Sequence, residues 1–501
     1  MSLMGVYVGT SGCKAVCFTP EGMELSVATR EYPLITPQTG WIELDPDFVW
    51  RMAVEAIREA AAKARPEPVE ALSISSQGEA FMPINKAGRV IGNAIVTFDA
   101  RATGIAEGWQ MRLSKQRIMT ITGMPLSGIH TLNKIIWWKT ERPDVYNETW
   151  KFLCFQDFMF FQMGLPPIID YSLAARTMAF DVVQLTWSSE LLDIAEVDVS
   201  LLPEVRPSGW VVGELGQKAA AELGVPEGCK VIAGGHDQPC GALGAGVTRE
   251  RLAMNASDTV ECITPVFSEL VLNEQMLKNY YACYPHVVSD MYVTLAFNFT
   301  GASLIRWYRD TLGGVEVAEA AATGKDAYDL IVESASGVPS SLYVLPYFTT
   351  SGTPYMDPQA KGVIMGLRYG TSRAELLRGL LEGISYEMKL NVERLAKAGV
   401  HIDEFRAVGS GTRSDRWMQL KADMLNRPVS VMNVSEATCL GTAILAGVAL
   451  GHYRDCAQAV EAAVKVRRVY EPDAATAAVY DEKFANYSQL YPTLKTLMHS
   501  T

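Results

Sequence analysis

The sequence predicts an α/β protein of two domains, and three observations carry that expectation. Apolar runs of strand length alternate with helical patterns along the chain. At 501 residues the chain exceeds what one ordinary core organises. Two segments, 4–18 and 251–267, each apolar on both sides of a short polar turn, open the two halves like copies of one hairpin.

The first, MGVYVGTSGCKAVCF, reads as strand, Gly-Thr-Ser-Gly turn and returning strand, with Gly9 and Gly12 permitting the turn. Residues 45–64 repeat apolar positions at helical spacing behind an Asp suited to an N-cap or first turn. ALSISSQG (71–78) is a buried strand ending in a polar turn, and NAIVTFDARA (93–102), 151–164 and KVIAGGHDQPCGALGAG (230–246) continue the alternation. The second half brings RLAMNASDTVECITPVF (251–267), a long helix over 373–399, a strand at 405–411 and helices over 416–425 and 437–451. The last is rich in small residues, which lets backbones pack closely. GAGVTRERL shifts from small and apolar to charged, which places a domain boundary near 246–251 and gives domains 1–246 and 247–501.

A net charge of −12 with no dense Lys/Arg run argues against nucleic acid and for a small-molecule partner. Apolar residues make up 49 % and charged residues 20 %, with no low-complexity tail, as expected of a globular chain. Nine cysteines without a CxxC read as reduced, buried thiols of a cytoplasmic protein. No basic leader and no apolar span of about twenty residues is seen, so secretion and membrane insertion are not expected.

In VIAGGHDQPCGALGAG a strand delivers Gly234 and Gly235, and Asp237 then stands at the start of a small-residue helix. A carboxylate beside a helix N-terminus suits a proton acceptor next to a bound phosphate. It equally suits a plain N-cap, and these residues alone leave the two readings even. VGTSG and FRAVGSGTRSD (405–415) are Gly-rich turns that admit a phosphate or a planar ligand, but ordinary turns use the same residues. Neither carries the dinucleotide GxGxxG spacing or the P-loop GK[ST] ending. His130 and His236 have no partner at metal-ligand spacing and read as structural or substrate-contacting residues. No GxSxG elbow is present.

Taken in order, the segments resemble the FGGY carbohydrate kinases of the actin-like ATPase superfamily. VYVGTSGCKAVCF resembles their first phosphate hairpin, and SISSQGEAFMPINKAGRVIGNAIVTFDARA their sugar-binding segment. FQDFMFFQMGLPPIIDYSLAARTMAFD resembles the Asp-containing helix and “D-x-S-x-A” stretch, and GGHDQPCGALGAG the motif of the catalytic Asp. FTGASLIRWYRD, KGVIMGLRYGTSRAELLRGLLEG, GSGTRSDRWMQLKADMLNRPV and EATCLGTAILAG resemble the nucleotide-side motifs, so the likeness spans about residues 4–455.

The resemblance implies two RNase H-like domains with an interdomain cleft, sugar mostly on the N-terminal side and ATP mostly on the C-terminal side. It implies ATP- and Mg-dependent phosphorylation of a sugar or polyol hydroxyl, with a pentulose such as xylulose or a small polyol as acceptor. Asp237 is then the general base, and Gln77, Glu79, Asp99 and Gln238 bind the acceptor. Thr10, Ser11, Lys14, Thr259, Gly301, Ala302, Ser410, Gly411 and Ser414 line the nucleotide, and a homodimer is compatible with the family.

Two positions depart from the family pattern. Tyr7 stands where the first hairpin has an Asp, and Asp258 where the second has a Gly. In one account Asp258 replaces the missing acid from across the cleft and faces Mg, while Asp237 meets the metal through water. In the other, the chain is a degenerate homologue that binds sugar or nucleotide and transfers phosphate poorly.

Overall fold

The computed structural model describes residues 1–500. β1 (Ser2–Val8) and β2 (Gly12–Phe18) form the first antiparallel hairpin, and β3 (Glu24–Glu31) extends it. β4 (Val69–Ser76) lies parallel to β1, while β5 (Val211–Glu214) forms the far edge, antiparallel to β6 (Lys230–His236). The sheet order is β5-β6-β4-β1-β2-β3. β4 and β6 are buried along nearly their whole length, which is why they read as continuous apolar or small-residue runs.

The second half repeats this plan. β7 (Arg251–Ser257) and β8 (Glu261–Phe267) form the second hairpin, extended by β9 (Tyr284–Pro285), β10 (Tyr292–Val293) and β11 (Ala296–Asn298). β12 (Ile402–Val408) lies parallel to β7, β13 (Val429–Met432) parallel to β12, and β14 (Val466–Tyr470) closes the edge antiparallel. Strand for strand, β7, β8, β12, β13 and β14 copy β1, β2, β4, β6 and β5. The duplication suggested by the two hairpins therefore extends to the sheets.

Six helices position the site: α1 (Pro46–Lys63), α2 (Tyr171–Arg176), α3 (Asp237–Gly244), α4 (Arg373–Lys397), α5 (Asp415–Leu425) and α6 (Ala437–Ala449). α1 starts where the Asp45 carboxylate accepts from the N–H groups of Asp47 and Phe48, and it covers β2 and β3. α4 and α5 pack on each other and on the second sheet.

α3 and α6 cross in backbone contact. A Cβ on Gly244 would lie 1.8 Å from the Ala437 carbonyl oxygen, and one on Gly441 would lie 1.9 Å from that of Cys240. α6 thus crosses from the second segment to rest on β1 and β4 of the first sheet, while α3 touches β7 and β8 as well as its own sheet. The two helices form the joint between the halves, and the small residues that seemed only permissive in the sequence are what close it.

All nine cysteines are unbridged, and all but Cys456 are buried. No helix among the described residues is long and apolar enough to cross a membrane.

Candidate active site

The end of β6 and the start of α3 place Asp237 at the joint. The Tyr7 hydroxyl donates to its Oδ2 at 3.2 Å, and His236 Nε2 lies 3.2 Å from its Oδ1. Burial pushes the Asp237 carboxyl up to about 6, against the Tyr7 and Gln238 hydrogen bonds that favour the anion. Burial also holds the His236 ring well below the usual imidazole range, with the Arg176 charge adding to it. The ring is therefore neutral near pH 7, and its approach to Asp237 is a dipolar contact.

The polar surroundings hold this corner in place. The Ser172 hydroxyl accepts from the His236 N–H at 2.8 Å and donates to Asp170 Oδ2 at 2.6 Å. Asp170 caps α2 through the Ser172 and Leu173 N–H groups, so the “D-x-S-x-A” stretch is a brace behind the base. His236 Nδ1 lies 3.0 Å from the Tyr284 hydroxyl.

Tyr7 explains the first hairpin's shape. A Cβ on Gly9 would lie 2.6 Å from the Tyr7 hydroxyl oxygen, so the ring lies against the turn. Burial raises the Tyr7 phenol well above its ordinary value, which keeps it a donor. Thr10 donates to Gln77 Oε1 at 2.7 Å, Gln77 Nε2 donates to the Gly9 carbonyl at 3.0 Å, and Ser11 is exposed. Lys14 Nζ meets Glu436 Oε1 at 2.7 Å, tying β2 to the segment that enters α6.

The second hairpin faces the loop after β12. Asp258 Oδ1 accepts from the N–H and the hydroxyl of Ser410, each at 2.8 Å. The expected acid from across the cleft is thus bound to the 409–411 loop of its own half. Gly301 and Ala302 close the same corner through bonds to the Thr259 and Asp258 carbonyls, and Ser414 caps α5. Asp258, Thr259, Ala302, Ser410, Gly411 and Ser414 line a cavity of about 240 Å³. Asp258 and Ser410 also border a broader cleft of about 980 Å³ reaching Lys14 and Glu436. Among the described residues no three His, Cys, Asp or Glu side chains converge as a metal site.

Two expected acceptor contacts have other partners. Gln77 has both ends of its amide committed to the first hairpin. Asp99 accepts from the Ile42 N–H and from Arg101, and Arg101 in turn pairs with Glu43. This buried lattice braces the turn after a two-residue strand at Ala94–Ile95. Glu79 and Gln238 do lie near Asp237. Glu79 acts on the Asp237 charge, and Gln238 Oε1 is buried with no hydrogen-bond partner. Sequence reasoning missed Arg176, which pairs with Glu79, and Tyr284 beneath it. Both lie in segments rich in core-like residues, and only the fold brings them to the base.

Comparison with known proteins matches the model of the FGGY carbohydrate kinase N-terminal domain to residues 2–244 and that of the C-terminal domain to residues 255–450. A xylulose kinase of Bacillus subtilis is 25 % identical over 99 % of this chain and 97 % of its own. A glycerol kinase of Thermococcus kodakarensis is 30 % identical over 93 % of this chain and 91 % of its own. Among solved structures, a xylulose kinase from Rhodospirillum rubrum superposes with a TM-score of 0.89 at 25 % identity, covering 100 % of both chains.

Proposed function

Because the chain belongs to the FGGY family of carbohydrate kinases, we propose that it moves the γ-phosphoryl group of ATP to a hydroxyl of a pentulose such as xylulose, or of a small polyol, with Asp237 as general base. The observation that carries this reading is the Asp237 carboxylate at the first residue of α3, partly buried, raised to about 6 and oriented by Tyr7. A base poised near the working pH takes a proton most effectively.

In this mechanism Asp237 accepts the proton of the acceptor hydroxyl as its oxygen bonds to the γ-phosphorus. The bond from that phosphorus to the β,γ-bridging oxygen breaks, and ADP leaves. Charge on the moving phosphoryl group is met by Ser11 of the first hairpin and by Thr259 of the second, and by Thr10 and Lys14 once they leave Gln77 and Glu436. Adenosine takes the cavity beside Ser410, Gly411 and Ser414.

Magnesium on ATP keeps most of its ligands as waters and phosphate oxygens and asks the protein for one or two carboxylates. Asp258, exposed beside Thr259, fits that modest demand and would hold the ion, and Asp237 would meet it through water. The metal would neutralise phosphate charge, and Tyr7 leaves it no carboxylate from the first hairpin. Closure about the α3–α6 joint would exclude water from the γ-phosphate.

The test is ADP release from ATP with xylulose and with glycerol as acceptors. Acceptor-dependent release that collapses in Asp237→Asn supports the reading. Acceptor binding with no release would instead favour a homologue that kept the ligand and lost the transfer.

A further inference from the structure

The broad cleft of about 980 Å³ that both hairpins reach carries a charge pattern at odds with a plain polyphosphate site. A cleft that attracts anions lines itself with one sign of charge. Here the four basic residues of the lining, Lys14 among them, are matched by four acidic ones, Asp258 and Glu436 among them. A bare polyanion therefore meets no net positive charge on entering.

The same two acids sit on groups suited to hold phosphate. Glu436 Oε1 takes Lys14 Nζ at 2.7 Å, and both side chains are half-buried. The segment before α6 is fixed beside this pair, because the Ser435 hydroxyl donates to Glu24 Oε2 at 2.6 Å. Across the cleft, Asp258 Oδ1 accepts from the N–H and the hydroxyl of Ser410. Gly409 permits that approach, since its φ is +92 and a Cβ there would run into the Asp258 carboxylate. An anionic oxygen on a backbone N–H and a hydroxyl at a glycine turn is the bonding a phosphate oxygen would make. Lys421, the buried ammonium whose charge couples to that of Asp258, is already committed to Glu261, Asn255 and Ser257. The Asp258 charge is thus left to the cleft.

We propose that Asp258 and Glu436 are stand-in anions: they occupy the phosphate donors of the empty cleft and make it select nucleotide that arrives with a divalent cation. A bare nucleotide must take Ser410 and Lys14 from the two carboxylates and then lie against both charges. A nucleotide carrying its cation brings the charge that offsets them. Asp258 meets the nucleotide directly, and Glu436 is a positioning residue that acts through Lys14. This inference rests on the reading of the cleft as the nucleotide site, and it is tested by binding, without turnover.

Calorimetry measures binding of ADP, and of adenosine as the probe without phosphate, to the full chain, to Glu436→Gln and to Asp258→Asn. Each titration is run in excess magnesium and in EDTA. One unit charge at about 4 Å in water changes affinity about fivefold, so two carboxylates should make wild-type ADP binding about tenfold or more tighter with magnesium. Glu436→Gln frees Lys14 and should tighten ADP in EDTA about fivefold, a gain that shrinks as salt is raised. Asp258→Asn should tighten ADP in EDTA by a similar factor and weaken it in magnesium, so that the two conditions converge. Adenosine should bind all three proteins alike in both conditions.

Circular dichroism reports folding of each variant, and tighter binding is an outcome that damage to the fold does not produce. If one variant does not fold, the other and the wild-type magnesium dependence decide the matter. Equal wild-type affinity for ADP in magnesium and EDTA, or a folded variant that binds ADP in EDTA no tighter than wild type, overturns the proposal and leaves the kinase reading standing. Tightening that extends to adenosine overturns it as well. No wild-type binding of ADP in either condition overturns both readings.

Discussion

Removing the Tyr7 hydroxyl, as Tyr7→Phe, isolates one hydrogen bond on the base. That hydroxyl donates to Asp237 Oδ2 at 3.2 Å. A hydrogen bond to a charged group contributes about 1.5–3 kcal/mol, and the length of this one places it at the lower end. At 1.36 kcal/mol per pKa unit the loss raises Asp237 by about one unit. The carboxyl stands at about 6 with Tyr7 in place. It would move to about 7 without it.

The acid limb of the pH profile of kcat/KM reports this ionisation. At pH 6 the ionised fraction of the base should fall from about one half to about one tenth, so kcat/KM falls about fivefold, while at pH 9 the variant should match the wild type. A coupled ADP assay across pH 5–9 reads both limbs. An acid limb that stays in place or moves to lower pH would refute the role given to Tyr7.

Other expectations follow from the same geometry. Asp258→Gly releases Ser410 from its two bonds and removes the carboxylate beside Thr259; it should lower activity, whereas Tyr7→Asp combined with Asp258→Gly should retain or raise it, and a more active single variant would contradict a metal-facing role. Gly441→Val places atoms where a Cβ already lies 1.9 Å from the Cys240 carbonyl oxygen, and should destabilise the joint by about 3 kcal/mol or more in urea unfolding. Glu387, buried between the Tyr347 and Tyr487 hydroxyls, is raised by burial to about 7, above its unfolded value of 4.5. The folded state then holds the proton more tightly. Its contribution is complete below pH 4.5 and lost as pH rises through 7, a swing of about 3 kcal/mol that Glu387→Gln should abolish in melts at pH 5 and 8.

What the sequence made legible was local. The two hairpins, the helix behind Asp45 and the strand running into Asp237 follow from turn chemistry, capping and burial, and the chain folds there as those rules require. The matched motifs extended that reading to a two-domain kinase. What stayed hidden depended on contacts distant in sequence. Tyr7 reaches Asp237 across 230 positions, and nothing in MGVYVGTSG announces that its hydroxyl will hold the base. Arg176 sits in an alanine-rich run that reads as helix core, and only the approach of α2 to the Gln77-Gly78-Glu79 turn gives it a partner. Gln77 and Asp99 fit a sugar-binding pattern by residue type, yet a neighbouring backbone carbonyl, Thr10 and Arg101 take their polar atoms. A motif fixes where a side chain starts, and the packing around it decides what remains free for a ligand.

The most direct measurement of the central claim is acceptor-dependent ADP release by the wild-type protein and by Asp237→Asn, with acceptor affinity measured in parallel. Asn preserves the size of the side chain and an oxygen for the Tyr7 hydroxyl, and loses the proton-accepting charge. The account predicts that acceptor binding survives while kcat falls about 10²- to 10⁴-fold. Turnover within about threefold of wild type in Asp237→Asn, at unchanged affinity, would contradict it.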